Sequence, residues 1–127
     1  MQQLSGPELL AKFARGAADA DAAADADADA DAGAATPLLL DVREPWECAL
    51  AAIHVEGWRT LHIPMNDVSA RLGELDPRRP VVCICHHGMR SAQVVAFLER
   101  QGFDAAYNLG GGIDAWSAQV DPNVARY

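Results

Sequence analysis

The stretch "VVCICHHGMRSAQVVAFLERQGF", residues 81–103, decides how this chain is read. A short apolar run meets Cys85, His86, His87, Gly88 and Arg90, and a helical pattern follows at once. The continuous apolar run suits a strand buried on both faces of a parallel sheet. Beyond it, Ala92, Val95, Ala96 and Leu98 recur at helical spacing and are expected to face the core, and Gly102 supplies a stop. Strand, tight turn and helix therefore stand in direct succession.

Outward from this unit the pattern repeats. "PLLLDVRE" at 37–44 reads as a buried strand, and "PWECALAA" at 45–52 as a short helix begun by Pro45. "WRTLHIPM" at 58–65 holds a second strand that stops at Pro64. The spacing of Val68, Leu72 and Leu75 predicts a helix through "VSARLGEL", capped by Asn66 or Asp67. "RPVVCIC" is a third strand, "DAAYNL" at 104–109 a weaker one, and "GGGIDAWSAQ" starts a last helix. Near the N-terminus Ser5, Pro7 and Glu8 mark a helix start that runs to about Arg15, where Gly16 can end it. Strands alternating with helices predict an α/β fold with a parallel sheet covered on both faces.

The length of 127 residues fits one domain spanning 1–127, large enough to form a core without a disulfide or metal staple. The segment 17–35, "AADADAAADADADADAGAA", is low in complexity, with no apolar face to bury and aspartates that repel one another. It reads as a flexible, solvated insert. It also holds six of the eighteen acidic residues, so outside it twelve acidic residues face ten basic ones and the net charge of −8 is largely local. That balance argues against nucleic acid or an anionic membrane surface as partner. No run reaches the eighteen apolar residues a membrane helix needs, and "MQQLSGPELLAKFARG" lacks the apolar centre of a secretory signal, so a cytoplasmic location is expected.

Three cysteines, Cys48, Cys83 and Cys85, do not suggest a disulfide framework. Cys83 lies inside an apolar run, where a thiol is core filler, and a zinc site would want more ligands at paired spacing, so no metal is expected. Cys48 reads as a structural or surface residue. Cys85 differs because it sits at the carboxyl end of a strand, where open parallel sheets bind ligands. "HHGMR" then forms a loop whose N–H groups, at a helix start, can turn inward as an anion nest. Gly88 supplies the backbone freedom, and Arg90 a fixed charge with a two-pronged donor. Such surroundings favour thiolate over thiol. The arrangement is a nucleophile beside an anion site.

"CHHGMRS" resembles the active-site loop of the rhodanese family of sulfurtransferases, often Cys-Arg-x-Gly-x-Arg-Ser. "LLLDVREPWE", "LHIPM" and "YNLGGGIDAW" resemble three further blocks of that family in the same order, so the likeness runs from Leu38 to Trp116. The resemblance implies a rhodanese-like, five-stranded parallel sheet flanked by helices. It implies that Cys85 accepts sulfane sulfur from a small donor such as thiosulfate or a persulfide, and passes it to a thiol, small or carried by a protein, with no cofactor. His86, His87, Gly88, Met89, Arg90 and Ser91 are then the substrate-binding loop. His86 stands where many members carry arginine, which lowers the permanent charge of the loop and favours a persulfide or polysulfide over thiosulfate. The insert at 17–35 is foreign to the family pattern.

Two rival functions are a non-catalytic module, either a persulfide carrier without turnover or a partner-binding domain, and a cysteine phosphatase. The phosphatase loop places five residues between Cys and Arg, whereas four separate Cys85 from Arg90, and no separate aspartic acid is evident.

Overall fold

The computed structural model describes residues 2–13 and 36–127. The alanine- and aspartate-rich segment at 17–35 lies outside the described residues, as does the expected helix end at Arg15. In chain order the elements are β1 (Gln2–Leu4), α1 (residues 6–13), β2 (Leu38–Asp41), α2 (Pro45–Leu50), β3 (Arg59–His62), β4 (Val81–Ile84), α3 (Met89–Arg100), β5 (Ala106–Leu109) and α4 (Gly112–Gln119). The five strands form one sheet in the order β1-β5-β4-β2-β3, with every neighbouring pair parallel.

The alternation of side chains along each strand divides the core in two. Leu38, Leu40, Val81 and Cys83 pack on one face with Val94, Val95 and Leu98 of α3. Leu39, Val82 and Ile84 pack on the other with Leu9 and Phe13 of α1 and Ile113 and Trp116 of α4. Both faces are thus covered by helices, which is why β2 and β4 are apolar without interruption. The start of α1 is a reciprocal cap: the Ser5 N–H donates to Glu8 Oε1 at 2.9 Å and the Glu8 N–H to Ser5 Oγ at 3.2 Å.

Three elements differ from the sequence reading. β1 was not visible, because three residues with two exposed glutamines give no apolar pattern; it is an edge strand paired with β5. Residues 68–75 do not form a helix but lie after and within two short 3-10 turns, Met65–Asp67 and Leu72–Glu74. Gly73 in the middle of that stretch weakens an α-helix by about 1 kcal/mol, and the turns still bury Val68 and Leu75. On α3 the buried residues are Ser91, Val94, Val95 and Leu98, while Ala92 and Ala96 are half-buried.

The strand order positions the site. After β2 the chain passes to β3 on one side, and after β4 it passes to β5 on the other. The loops leaving the carboxyl ends of β2 and β4 therefore part in opposite directions, and the crevice between them is where open α/β sheets bind ligands. Asp41 ends β2 directly opposite Ile84, the residue before Cys85.

Candidate active site

Cys85 follows the last residue of β4, and Gly88 caps α3 four residues before Ala92. Gly88 is left-handed, with φ of 99°, a conformation that costs a side-chain-bearing residue strain. That turn aims the Gly88 N–H at Cys85 Sγ, 3.0 Å away. Space is tight as well, since a Cβ there would approach the Gly111 nitrogen and the Leu109 carbonyl oxygen at 3.3 Å. The loop is pinned from beneath by α4, whose Ile113 and Asp114 N–H groups donate to the carbonyls of Cys85 and His86 at 2.9 and 3.1 Å. The helix N-terminus of "GGGIDAW" thus holds the cysteine loop by its own backbone.

A side-chain network fixes the other side of the sulfur. Ser91 Oγ lies 3.2 Å from Cys85 Sγ and 2.5 Å from Asn108 Oδ1. The Asn108 amide donates to the Gly88 carbonyl and to Gln3 Oε1, each at 3.0 Å. Ser91 and Asn108 are buried, and Cys85 itself is only 1% exposed.

Arg90 does not point freely over the sulfur. Its two terminal nitrogens donate to both carboxylate oxygens of Glu47 on α2, at 2.6 and 2.8 Å. The same carboxylate accepts the Tyr127 hydroxyl at 2.7 Å and the Glu44 N–H at 3.1 Å. Arg90 foremost, with Tyr127 and the Glu44 N–H, draws the Glu47 carboxyl down to about 2 against the opposing effect of its burial. Tyr127 in turn accepts Arg43 Nη1 at 3.0 Å. Burial pushes the Tyr127 phenol up to about 12, although Arg43 acts the other way.

Arg43, fully buried, is held by Asp41 through Nε at 2.9 and 3.1 Å and through Nη2 at 2.6 Å, and Nη2 also donates to the Ala51 carbonyl at 2.7 Å. Burial disfavours its charge, but these bonds outweigh that cost and hold it above its ordinary range. His86 stacks on Tyr127 with ring centroids 3.9 Å apart and on His87 at 4.0 Å. Burial, and then the neighbouring His87, lower the pKa of His86, which favours the neutral ring. Beside this column runs an open groove of about 680 Å³ lined by Glu44, Trp46, Glu47, Leu50, His86, Arg90 and Tyr127.

The structure thus gathers Cys85, Gly88 and Ser91 around the sulfur, and sets His86 and Arg90 in the wall of the groove. His87 is exposed in the loop, and Met89 points outward with 76% of its surface exposed. The other thiols are elsewhere. Cys83 is wholly buried in the sheet, and burial raises its pKa. Cys48 is half-buried, and burial, then Asp41, push its thiol up to about 11. Sequence reasoning missed Asn108, Glu47, Arg43, Tyr127 and Gln3. The first three lie within stretches already noted, where a polar residue in an apolar strand or turn was the available signal. Tyr127 carries no local signal, because its partners Arg43 and Glu47 are 84 and 80 residues away.

The Rhodanese-like domain model matches residues 22–119. A sulfurtransferase of Allochromatium vinosum is 40% identical over 88 residues, covering 69% of this chain and 78% of that protein. A rhodanese-like/PpiC domain-containing chloroplast protein of Arabidopsis thaliana is 37% identical over 92 residues, covering 70% of this chain, which spans only 30% of the relative's length. Among solved structures, a rhodanese-related protein of Thermoplasma volcanium superposes with a TM-score of 0.71 at 23% identity and full coverage of both chains, a likeness of fold. Among the described residues no helix is long and apolar enough to cross a membrane.

Proposed function

The chain belongs to the rhodanese-like family, and on that premise we propose that it is a sulfurtransferase whose nucleophile is Cys85. In the first step the Cys85 thiolate attacks the outer sulfur of a sulfane donor. A bond forms from Sγ to that sulfur, the donor S–S bond breaks, and sulfite or a thiolate leaves with the electron pair. In the second step an acceptor thiolate attacks the terminal sulfur of the Cys85 persulfide and frees Sγ again. The chain's own groups act on charge and position: the Gly88 N–H supports negative charge at Sγ, and the Ser91 hydroxyl lies beside the same atom.

The observation that carries this reading is the Gly88 N–H at 3.0 Å from a cysteine sulfur placed at the switch point of a parallel sheet. The phosphatase alternative fits less well, because the guanidinium that would hold a phosphate is bound at both ends by Glu47. The test is intact-mass spectrometry after exposure to a sulfane donor. Gain of one sulfur in the wild-type protein, none in Cys85→Ser, and turnover with a small thiol are expected. A sulfur retained by Cys85→Ser would refute the assignment. Loading without turnover would replace the enzyme by a carrier.

A further inference from the structure

We propose that Glu47 is a specificity-determining residue: by cancelling the charge of Arg90 it fits the groove lined by Arg90 and by His86 of the cysteine loop to a weakly charged organic persulfide, R–S–SH, in preference to a dianion such as thiosulfate. This deepens the sulfurtransferase reading and rests on it.

The charges around the groove come from every element packed there. α2 and the residue before it bring two carboxylates, Glu47 and the exposed Glu44. α3 brings one guanidinium, Arg90, already bound at both ends. The loop brings His86, which its burial and His87 turn toward the neutral form, and Tyr127 stays a neutral phenol. Behind them Arg43 is matched by Asp41, and beside the histidines Asp114 of α4 is matched by Arg126. Two carboxylates against one guanidinium leave the lining with an excess of negative charge. A bound dianion would meet a guanidinium whose charge Glu47 already balances, and would lie beside that carboxylate.

The same groove offers apolar contact. Trp46 and Leu50 of α2 are 62% and 53% exposed and line it, where a carbon substituent on the donor would cover them. The step needs no outside oxidant or reductant. Cys85 thiolate attacks the outer sulfur of R–S–SH, the Sγ–S bond forms, the donor S–S bond breaks, and its electron pair departs with R–S⁻. The proton stays on the transferred sulfur.

The experiment compares kcat/KM for two donors, thiosulfate and the persulfide of N-acetylcysteine methyl ester, with intact-mass readout of Cys85 loading. Wild type should favour the persulfide. Glu47→Gln frees Arg90, and the preference should move toward thiosulfate by about tenfold or more. Because Glu47→Gln also disturbs a buried network, Trp46→Ala, at an exposed position, gives a second arm: the KM for the persulfide should rise several-fold more than that for thiosulfate. A wild type that prefers thiosulfate, or folded variants that shift both donors in parallel, would overturn the proposal. Failure of either donor to place sulfur on Cys85 would overturn the sulfurtransferase reading and this proposal with it.

Discussion

Ser91 and Asn108 meet hydroxyl to amide oxygen at 2.5 Å, and the same hydroxyl lies 3.2 Å from Cys85 Sγ. A serine has one proton for these two acceptors. Asn108 Nδ2 is already committed to the Gly88 carbonyl and Gln3, so its oxygen faces Ser91 and takes the proton. Asn108 therefore fixes both the hydroxyl beside the sulfur and the glycine that aims its N–H at it. Asn108→Ala should cost about 1–3 kcal/mol in denaturant unfolding, because buried partners lose their bonds. It should also slow sulfur loading about tenfold or more through misplacement of the loop. Gln3→Ala removes one bond at the edge strand and leaves Gly88 held, so its cost should stay below about 1 kcal/mol. Equal costs for the two variants would show that Asn108 acts only as a tie to β1.

Gly112 and Gly57 form a second contrast. Both have positive φ, 63° and 85°. A Cβ at Gly57 meets open space, so Gly57→Ala should cost only the backbone strain, on the order of 1 kcal/mol, and keep full activity. A Cβ at Gly112 would sit 2.4 Å from the His86 carbonyl oxygen and 2.5 Å from that of Cys85. Gly112→Ala must therefore push the cysteine loop off the start of α4. Loss of most activity, with a melting temperature clearly below that of Gly57→Ala, is the expected result. An active Gly112→Ala protein would mean that the loop does not depend on this close approach.

The central strands and the cysteine loop were legible because the signals that build them are local. Val81 to Cys85 is apolar without break because both faces of β4 are covered, and Gly88 permits the positive φ that the turn takes. The missed features depend on pairings across the chain. Gln2–Leu4 becomes a strand only through the edge of β5, and a sequence window over Gln2, Gln3 and Leu4 carries no period. Residues 68–75 showed helical spacing, yet the chain buries Val68 and Leu75 with two short turns, since packing and not period decides so brief a segment. Arg90 was read as a free cation because Glu47 is 43 residues away. Its identity was legible and its charge balance was not.

The thiols supply a third prediction. Cys83 is fully buried in β4, and Cys48 has its thiol pushed up to about 11 by burial first and Asp41 second. Neither offers a thiolate near neutral pH. Cys83→Ala should lower stability by about 1 kcal/mol through a small cavity, and Cys48→Ala by less, with sulfur loading retained in both. A loss of loading in Cys83→Ala as complete as in Cys85→Ser would move the reaction to a different sulfur.

Acid unfolding tests the pairing of Arg90 with Glu47. The Glu47 carboxyl is drawn down to about 2 by Arg90 first, with Tyr127 and the Glu44 N–H assisting against its burial. A carboxyl with a depressed folded pKa binds its proton more readily in the unfolded chain. Its contribution is therefore complete above the unfolded value near about 4.3, and it is lost as pH falls from there toward about 2. The Arg90 side chain is 35% exposed, so solvent screening reduces the contribution to on the order of 2 kcal/mol. Urea unfolding of the wild type at a series of pH values should show this loss between about pH 4.5 and 2. Arg90→Ala leaves Glu47 buried without its cation, so it should be less stable at pH 7 by about 3 kcal/mol and should lose less of its remaining stability on acidification. Arg90→Lys keeps a charge but not the two-pronged fork, and should fall between the two. If Arg90→Ala follows the wild-type curve at a constant offset, the acid-sensitive carboxylate is not Glu47, and the charge balance assigned to the groove fails with it.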